Sequence, residues 1–143
     1  IRRIMEVNFF GTLNCINAVN NYFKEKQSGH ISIVSSVAAY RGLPAASGYC
    51  ASKSALTSLA ESLYFDFKRY NVRVSVVSSG FIKTPMTAEL KGMPFLLPVE
   101  TAVEKIVSAI DRGKKTFVFP WQMKIMIPLL RVMPDGLLRM FGN

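Results

Sequence analysis

Cysteine and histidine are scarce in this sequence of 143 residues, which holds two cysteines and one histidine. Cys15 and Cys50 lie far apart, and neither belongs to a Cys-x-x-Cys or Cys/His motif. A structural zinc site needs several such ligands at close spacing, and a disulfide scaffold needs more cysteines. The sequence therefore predicts no metal site and a reducing compartment, so we expect a cytoplasmic location.

Acidic residues are also few, with nine aspartates and glutamates against 18 lysines and arginines, so the formal net charge is +9. That excess permits contact with phosphates, acidic lipids or nucleic acid but does not determine a fold. The apolar segment after Phe119 carries charges too often to cross a bilayer. Because 50% of the residues are hydrophobic, the composition excludes a disordered or collagen-like chain, and the length fits one domain.

Apolar periodicity predicts helices and strands in alternation. Apolar side chains at steps of three, four and seven residues are typical of one helix face, and short β-branched runs are typical of strands. The predicted order is a helix over 1–23, a strand over 31–34, a helix over 49–70, a strand over 72–77, an irregular loop, a helix over 100–110 and a strand over 116–119. Strands joined through helices pair in parallel, so the sequence predicts an α/β fold with a doubly wound parallel sheet.

Three polar side chains are candidates for a proton-transfer site at the carboxyl end of a strand, where open α/β sheets bind ligands. Ser36 ends the first predicted strand, Tyr49 begins the next helix, and Lys53 follows one helical turn later. Residues at positions i and i+4 share a helix face, so the Lys53 ammonium can lie near the Tyr49 phenol. A nearby cation favours the phenolate and adapts a tyrosine for acid–base work at neutral pH. The simpler alternative is that the tyrosine and lysine only form a solvated helix face.

The sequence resembles the short-chain dehydrogenases/reductases at four spaced motifs. All four lie within residues 1–110 and occur in the order that this family has. They are Val7-Asn8-Phe9-Phe10-Gly11, Gly29-His30-Ile31-Ser32-Ile33-Val34-Ser35-Ser36, Tyr49-Cys50-Ala51-Ser52-Lys53 and Ser79-Gly80-Phe81-Ile82-Lys83-Thr84. Ser79 stands where the family has a proline, which loosens the turn after the second predicted strand.

The resemblance implies a catalytic role for four residues. Tyr49 would protonate a carbonyl oxygen, or deprotonate an alcohol, while hydride moves to or from a nicotinamide. Lys53 would lower the pKa of the tyrosine and bind the nicotinamide ribose, and Ser36 would hold the substrate oxygen. Asn8 would keep a water molecule that relays protons between Lys53 and solvent.

The resemblance also implies NADP or NAD as the cofactor. Tyr49 and Lys53 would contact it from one side. The turn that contains Gly80, Ile82 and Thr84 would hold its carboxamide from the other.

In the family, the glycine-rich phosphate loop and the residue that selects NAD or NADP would precede Ile1. We therefore expect residues 1–119 to be the C-terminal part of a Rossmann-type domain, and residues 120–143 to be a basic, apolar tail. The expected activity of the parent protein is interconversion of a carbonyl and a secondary alcohol, with the 143-residue chain inactive by itself. The alternative is a truncated, non-enzymatic member of the family that acts as a dimerisation or interaction module.

Two apolar segments bear on the substrate and the partners. The loop over 86–98 is rich in methionine, leucine and phenylalanine, which favours an apolar substrate. The tail carries Lys124, Arg131 and Arg139 among apolar residues. It either lies on an anionic membrane surface or packs against a partner subunit or over the substrate pocket. The second interpretation is favoured, because the prolines are expected to break any long amphipathic helix. The resemblance implies a homodimer or homotetramer, and the basic residues are too scattered to predict nucleic-acid binding.

Overall fold

The computed structural model describes residues 1–89, 92–134 and 136, so Arg139 lies outside the described residues. Helices and strands alternate along the chain as the periodicity predicts. In chain order they are α1 (Arg2–Met5), a π-helical turn (Glu6–Phe10), α2 (Gly11–Lys26), β1 (Gly29–Ser36), α3 (Ser47–Lys68), β2 (Val72–Ser79), α4 (Val99–Asp111), β3 (Thr116–Phe119) and α5 (Trp121–Val132). The first two strands extend beyond their predicted ends, so that both finish in serine.

The three strands form one parallel sheet in the order β1-β2-β3. Gly29 lies opposite Val72 at one end of the β1–β2 pair, and Ser36 lies opposite Ser79 at the other. β3 is shorter and pairs with β2 only from Val76 onward. The predicted α/β class with a parallel sheet is therefore confirmed, and the carboxyl ends of β1 and β2 meet at one edge of the sheet.

Helices pack on both faces of the sheet, although Val34 of β1, which lies opposite Val77 on the second face, is half exposed. Alternate strand residues pack against α2 and α3 on one face, in a cluster made of Ile16, Ile31, Ile33, Leu56, Ala60, Phe67, Val72, Val74 and Val76. On the other face, Val77 and Phe119 pack against Ala102 of α4. Since successive side chains of a strand point to opposite faces, this division follows directly from the β-branched runs of the sequence.

α5 forms although Pro128 lies within it, so the expectation that the prolines would break an amphipathic helix is wrong for this residue. Pro128 is exposed, so water can reach the Lys124 carbonyl that loses its backbone donor. The helix does end before Pro134, where Met133 has the extended conformation that a residue before proline favours. In the part of the chain that the structure describes, no helix is both long and apolar enough to span a bilayer.

We expect His30 to make folding stability depend on pH. Its Nε2 lies 2.6 Å from Ser75 Oγ, and burial, followed by the charge of Arg73, lowers its pKa below the ordinary value of 6.5. As the pH falls, His30 is therefore protonated in the unfolded chain before it is protonated in the folded one. The free energy of unfolding is greatest above pH 6.5 and decreases as the pH drops below this value.

The measurement is urea unfolding at a series of pH values, for the natural chain and for His30→Gln, which keeps a polar group beside Ser75 but does not titrate. The difference in unfolding free energy between the two chains should not depend on pH above pH 6.5. Below pH 6.5 it should change with a slope that corresponds to the uptake of less than one proton on unfolding. Equal pH dependence in both chains would contradict the assignment.

Candidate active site

A cleft of about 870 Å³ opens at the carboxyl ends of β1 and β2. It is bordered by the turns that follow these two strands, by the start of α3 and by the start of α1. Five predicted site residues line it: Ser36, Tyr49, Gly80, Ile82 and Thr84. The fold thus brings together residues as far apart in the sequence as Ser36 and Thr84.

Ser36 closes β1 and starts a 3₁₀ turn over Val37–Ala39. Its Oγ accepts a hydrogen bond from the Ala38 N–H at 3.2 Å and donates to the Ser79 carbonyl at 3.4 Å. The second distance is long for an O–H···O bond, which usually measures about 2.5–3.0 Å. The Ser36 hydroxyl is therefore fixed in place while its proton is only weakly held, and a ligand oxygen in the cleft can compete for it.

Tyr49 and Lys53 share one face of the first turns of α3. Lys53 Nζ lies 5.7 Å from the centroid of the Tyr49 ring and donates a hydrogen bond to the Val34 carbonyl at 3.0 Å. Burial lowers the pKa of the Lys53 amine below its ordinary value of 10.5, because a desolvated ammonium is disfavoured. Tyr49 lines the cleft, whereas Lys53 is not one of the lining residues and is anchored to β1.

Gly48 lets the N-terminal end of the chain approach α3 closely. A Cβ at this position would lie 3.2 Å from Ile1 Cα and 3.2 Å from Ile4 Cδ1, so a larger residue would push these groups apart. Ile1 and Ile4 also line the cleft. The glycine before Tyr49 therefore brings an apolar wall next to the tyrosine.

Asn8 lies in the π-helical turn and is connected to Tyr49 through Ser52. Asn8 Nδ2 donates to Ser52 Oγ at 3.0 Å, and Ser52 Oγ donates to the Tyr49 carbonyl at 2.8 Å. The Asn8 carbonyl accepts from Thr12 Oγ1 at 2.8 Å. Asn8 is not one of the described residues that line the cleft. It holds the backbone of the first turn of α3, and the buried Ser52 that completes this link is a site residue that the sequence reasoning missed.

The turn after β2 is held by β3 and by its own threonines. The Gly80 N–H donates to the Phe119 carbonyl at 2.7 Å, and a Cβ on Gly80 would lie 3.0 Å from Pro120 Cδ. Thr84 begins a 3₁₀ turn over Pro85–Thr87, in which the Thr84 N–H donates to Thr87 Oγ1 at 2.9 Å. These contacts fix a turn in which serine replaces the proline of the family it resembles.

Thr87 and Met123 also support the turn after β2 and were missed from the sequence. Thr87 Oγ1 donates to the Ile82 carbonyl at 2.7 Å, and Ile82 pairs with Leu97 across the loop in a parallel bridge. The side chain of Met123, in the first turn of α5, lies within 3.4 Å of the position that a Cβ on Gly80 would take. Thr87 lies three residues after Thr84, which is the spacing of a capping box, but nothing in the sequence connects Met123 to Gly80.

Known proteins resemble this chain in sequence over most of its length. The sequence model of the short chain dehydrogenase family matches residues 1–94. An uncharacterized oxidoreductase of Myxococcus xanthus is 36% identical over 138 residues, which are 96% of this chain and 54% of that protein. The chain spans about half the length of this curated relative.

Two solved structures have the same fold over most of this chain. A short chain dehydrogenase from Burkholderia cenocepacia in complex with NADP superposes with a TM-score of 0.81 at 29% identity, over 93% of this chain and 56% of that one. A 3-oxoacyl-[acyl-carrier protein] reductase with bound NAD from Brucella melitensis has a TM-score of 0.69 at 27% identity, over 82% of this chain and 49% of that one. The sheet is therefore that of a Rossmann-type domain. Taken with the match of the family model, this establishes that the chain belongs to the short-chain dehydrogenases.

Proposed function

We propose that the whole protein is an NAD(P)-dependent oxidoreductase that interconverts a carbonyl and a secondary alcohol. The observation that carries this proposal is that Ser36 and Tyr49 line one cleft while Lys53 Nζ lies 5.7 Å from the Tyr49 ring centroid. The NADP and NAD bound to the two solved relatives support a nicotinamide dinucleotide as cofactor, with the choice between them open.

The cleft suits a nicotinamide and a small substrate together. Its volume of about 870 Å³ falls at the upper end of the range for ligand pockets, about 300–1,000 Å³. Hydroxyl groups of Ser36, Tyr49 and Thr84 line it, and the backbone around Ile82 is held in an open turn beside them. Tyr49, Lys53 and the turn that contains Gly80, Ile82 and Thr84 would hold the nicotinamide and its ribose, and the bound nicotinamide would supply the hydride.

The chain's own residues would carry out the proton transfer. In the reducing direction, the Tyr49 hydroxyl gives its proton to the carbonyl oxygen, which the Ser36 hydroxyl holds by a hydrogen bond. The Lys53 ammonium favours the negative charge that this leaves on the phenol oxygen. In the oxidising direction the same phenolate takes the alcohol proton, as microscopic reversibility requires.

We propose that Asn8 acts on this chemistry as a positioning residue. Its amide holds Ser52, and Ser52 holds the Tyr49 carbonyl, so the link fixes where the tyrosine begins α3. The water relay that the family resemblance implies for Asn8 stays a prediction.

An apolar substrate is the second part of the proposal. The cleft is lined mostly by apolar side chains, among them Leu43, Phe81 and Met86, with few polar groups apart from the site hydroxyls. Such a lining favours ketones or alcohols with a hydrophobic body, because burial of apolar surface supplies affinity and the hydroxyls supply orientation.

We also propose a homodimer or homotetramer in the cytoplasm. Exposed aromatic side chains on α2 and α3, among them Tyr22 and Phe65, support an association surface on these helices. The division into a domain over 1–119 and a tail over 120–143 stays a prediction.

The test is cofactor oxidation by the purified whole protein with NADPH or NADH and a series of ketones of increasing apolar length. We expect turnover with at least one cofactor and a kcat/KM that rises with chain length. The 143-residue chain by itself should not turn over, since it contains no Gly-x-Gly-x-x-Gly loop. Absence of turnover from the whole protein with either cofactor would favour the non-enzymatic interaction module, and turnover by the 143-residue chain would overturn the expected inactivity.

A further inference from the structure

α5 presents an apolar stripe to solvent. The stripe consists of Trp121, Ile125, Leu129 and Val132, whose side chains are 65%, 64%, 61% and 78% exposed. Spacings of four, four and three residues place these side chains on one face of a helix. The opposite face of α5 packs against the rest of the fold, where Met123 and Ile127 are buried.

The charged residues of α5 are all basic. The helix contains Lys124 and Arg131 and no aspartate or glutamate. Lys124 and Arg131 are seven residues apart, so they lie along one edge of α5 beside the stripe, and both are exposed. The Arg131 guanidinium also lies 5.1 Å from the centroid of the Tyr40 ring, which holds this end of the helix to the domain.

α4 offers an internal comparison. It too exposes an apolar stripe, made of Val99, Val103 and Val107. Exposed carboxylates of Glu100 and Glu104 lie beside this second stripe, so an anionic surface would repel it. The two helices differ in the sign of the charge beside their apolar faces, and only the face of α5 complements negative charge.

A second copy of the chain fits this face less well than a lipid surface. α5 has 12 residues and is therefore about 18 Å long, so one stripe on it is a small part of the ~800 Å² that each partner of a stable dimer buries. Pairing two such stripes would also bring the basic residues of the two copies together. An exposed tryptophan at one end of a short stripe edged by basic residues is instead the pattern of a helix that lies in a bilayer surface.

We propose that the apolar stripe of α5 binds the surface of a bilayer that contains anionic phospholipids. The apolar side chains enter the boundary between headgroups and acyl chains, while Lys124 reaches the lipid phosphates and Arg131, held at Tyr40, adds positive charge beside them. The buried face of α5 packs against Val37 and Phe81, which line the cleft, so binding brings the cleft close to the lipid. Binding needs no turnover, so it is tested separately from the proposed reaction.

The experiment is co-sedimentation of the 143-residue chain with phosphatidylcholine vesicles, with and without phosphatidylserine. We expect partition onto the phosphatidylserine vesicles to be about tenfold or more stronger, from the two basic residues beside the stripe, and to weaken as salt is added. The chain has one tryptophan, Trp121, so its fluorescence reports the stripe directly. Its emission should shift to the blue and be quenched by brominated lipid.

Two matched variants test the face. Ile125→Ser combined with Leu129→Ser changes only exposed side chains of α5 and should lower partition about tenfold or more, by loss of apolar area. Val103→Ser combined with Val107→Ser makes the same kind of change on α4 and should leave partition unchanged.

Several results would overturn the proposal. They are equal binding to neutral and anionic vesicles, an unshifted Trp121 spectrum on bound protein, and full binding by the α5 variant. Self-association that the α5 variant abolishes, without any vesicle binding, would assign the face to a second copy of the chain instead.

Discussion

Replacement of Tyr49 by phenylalanine is expected to lower kcat of the whole protein about 10²–10⁴-fold, the usual contribution of a general acid or base. The substitution removes only the phenol oxygen, so the ring keeps its place beside Lys53 Nζ and at the wall of the cleft. Because the hydroxyl acts on the reacting oxygen, KM should change little while kcat falls. Steady-state rates with NADPH or NADH give both constants.

Tyr22→Phe is the matched control, since it makes the same chemical change at an exposed tyrosine on α2 outside the cleft. Its kcat should equal that of the natural protein. If Tyr49→Phe retained kcat within a few fold, the tyrosine would not be the proton donor. The Lys53 and Ser36 roles proposed here would then lose their basis.

Phe67→Ala is expected to lower the free energy of unfolding by about 3–5 kcal/mol. Phe67 is 2% exposed and belongs to the apolar cluster between the sheet and α3, together with Leu56 and Val74. Truncation removes its transfer free energy and leaves a cavity that the close-packed neighbours fill only in part. Urea unfolding followed by circular dichroism measures the change.

Phe65→Ala tests whether the loss depends on burial rather than on helix composition. Phe65 lies two residues away on the same helix but is 73% exposed in the single chain, so at protein concentrations at which the chain is monomeric the same substitution should change the unfolding free energy by no more than about 0.5 kcal/mol. Equal losses under these conditions would contradict the dependence on burial. At concentrations at which the proposed oligomer forms, a larger loss from Phe65→Ala is expected, because association through α3 would bury this side chain.

The sequence was sufficient to predict the parallel sheet, and the reason is local. Runs of β-branched residues such as Val72–Val77, separated by stretches with helical periodicity, leave few alternatives to an α/β fold. The same locality explains why Ser36, Tyr49 and Lys53 could be predicted as candidates. A serine at a strand end and a tyrosine–lysine pair one helical turn apart are defined by short-range geometry.

The link from Asn8 through Ser52 to the Tyr49 carbonyl could not be predicted in this way. Asn8 lies in a π-helical turn, whose wider winding changes the direction of each side chain relative to a regular helix. Apolar periodicity at 3.6 residues per turn contains no trace of that change. The partner on α3, moreover, is 44 residues away along the chain.

The C-terminal segment also has features that the sequence predicts and features that it does not. Its basic and apolar composition is plain from the sequence, and so is its lack of acidic residues between Arg112 and Pro134. Composition did not reveal that a helix forms through Pro128, nor that Met123 would support Gly80 while Trp121 and Ile125 remain exposed. Which face of an amphipathic helix is buried depends on what lies beneath it.

The fold class and the candidate proton-transfer residues follow from the sequence through short-range patterns of polarity and spacing, while four motifs indicate the family by resemblance. Other features are visible only in the folded chain: Ser36, Tyr49 and Thr84 line one cleft, Lys53 donates to the Val34 carbonyl, and α5 leaves one face exposed. These features depend on contacts between residues far apart in the chain. Such contacts arise when apolar faces pack and buried polar groups find partners, and no local pattern encodes which partners they find.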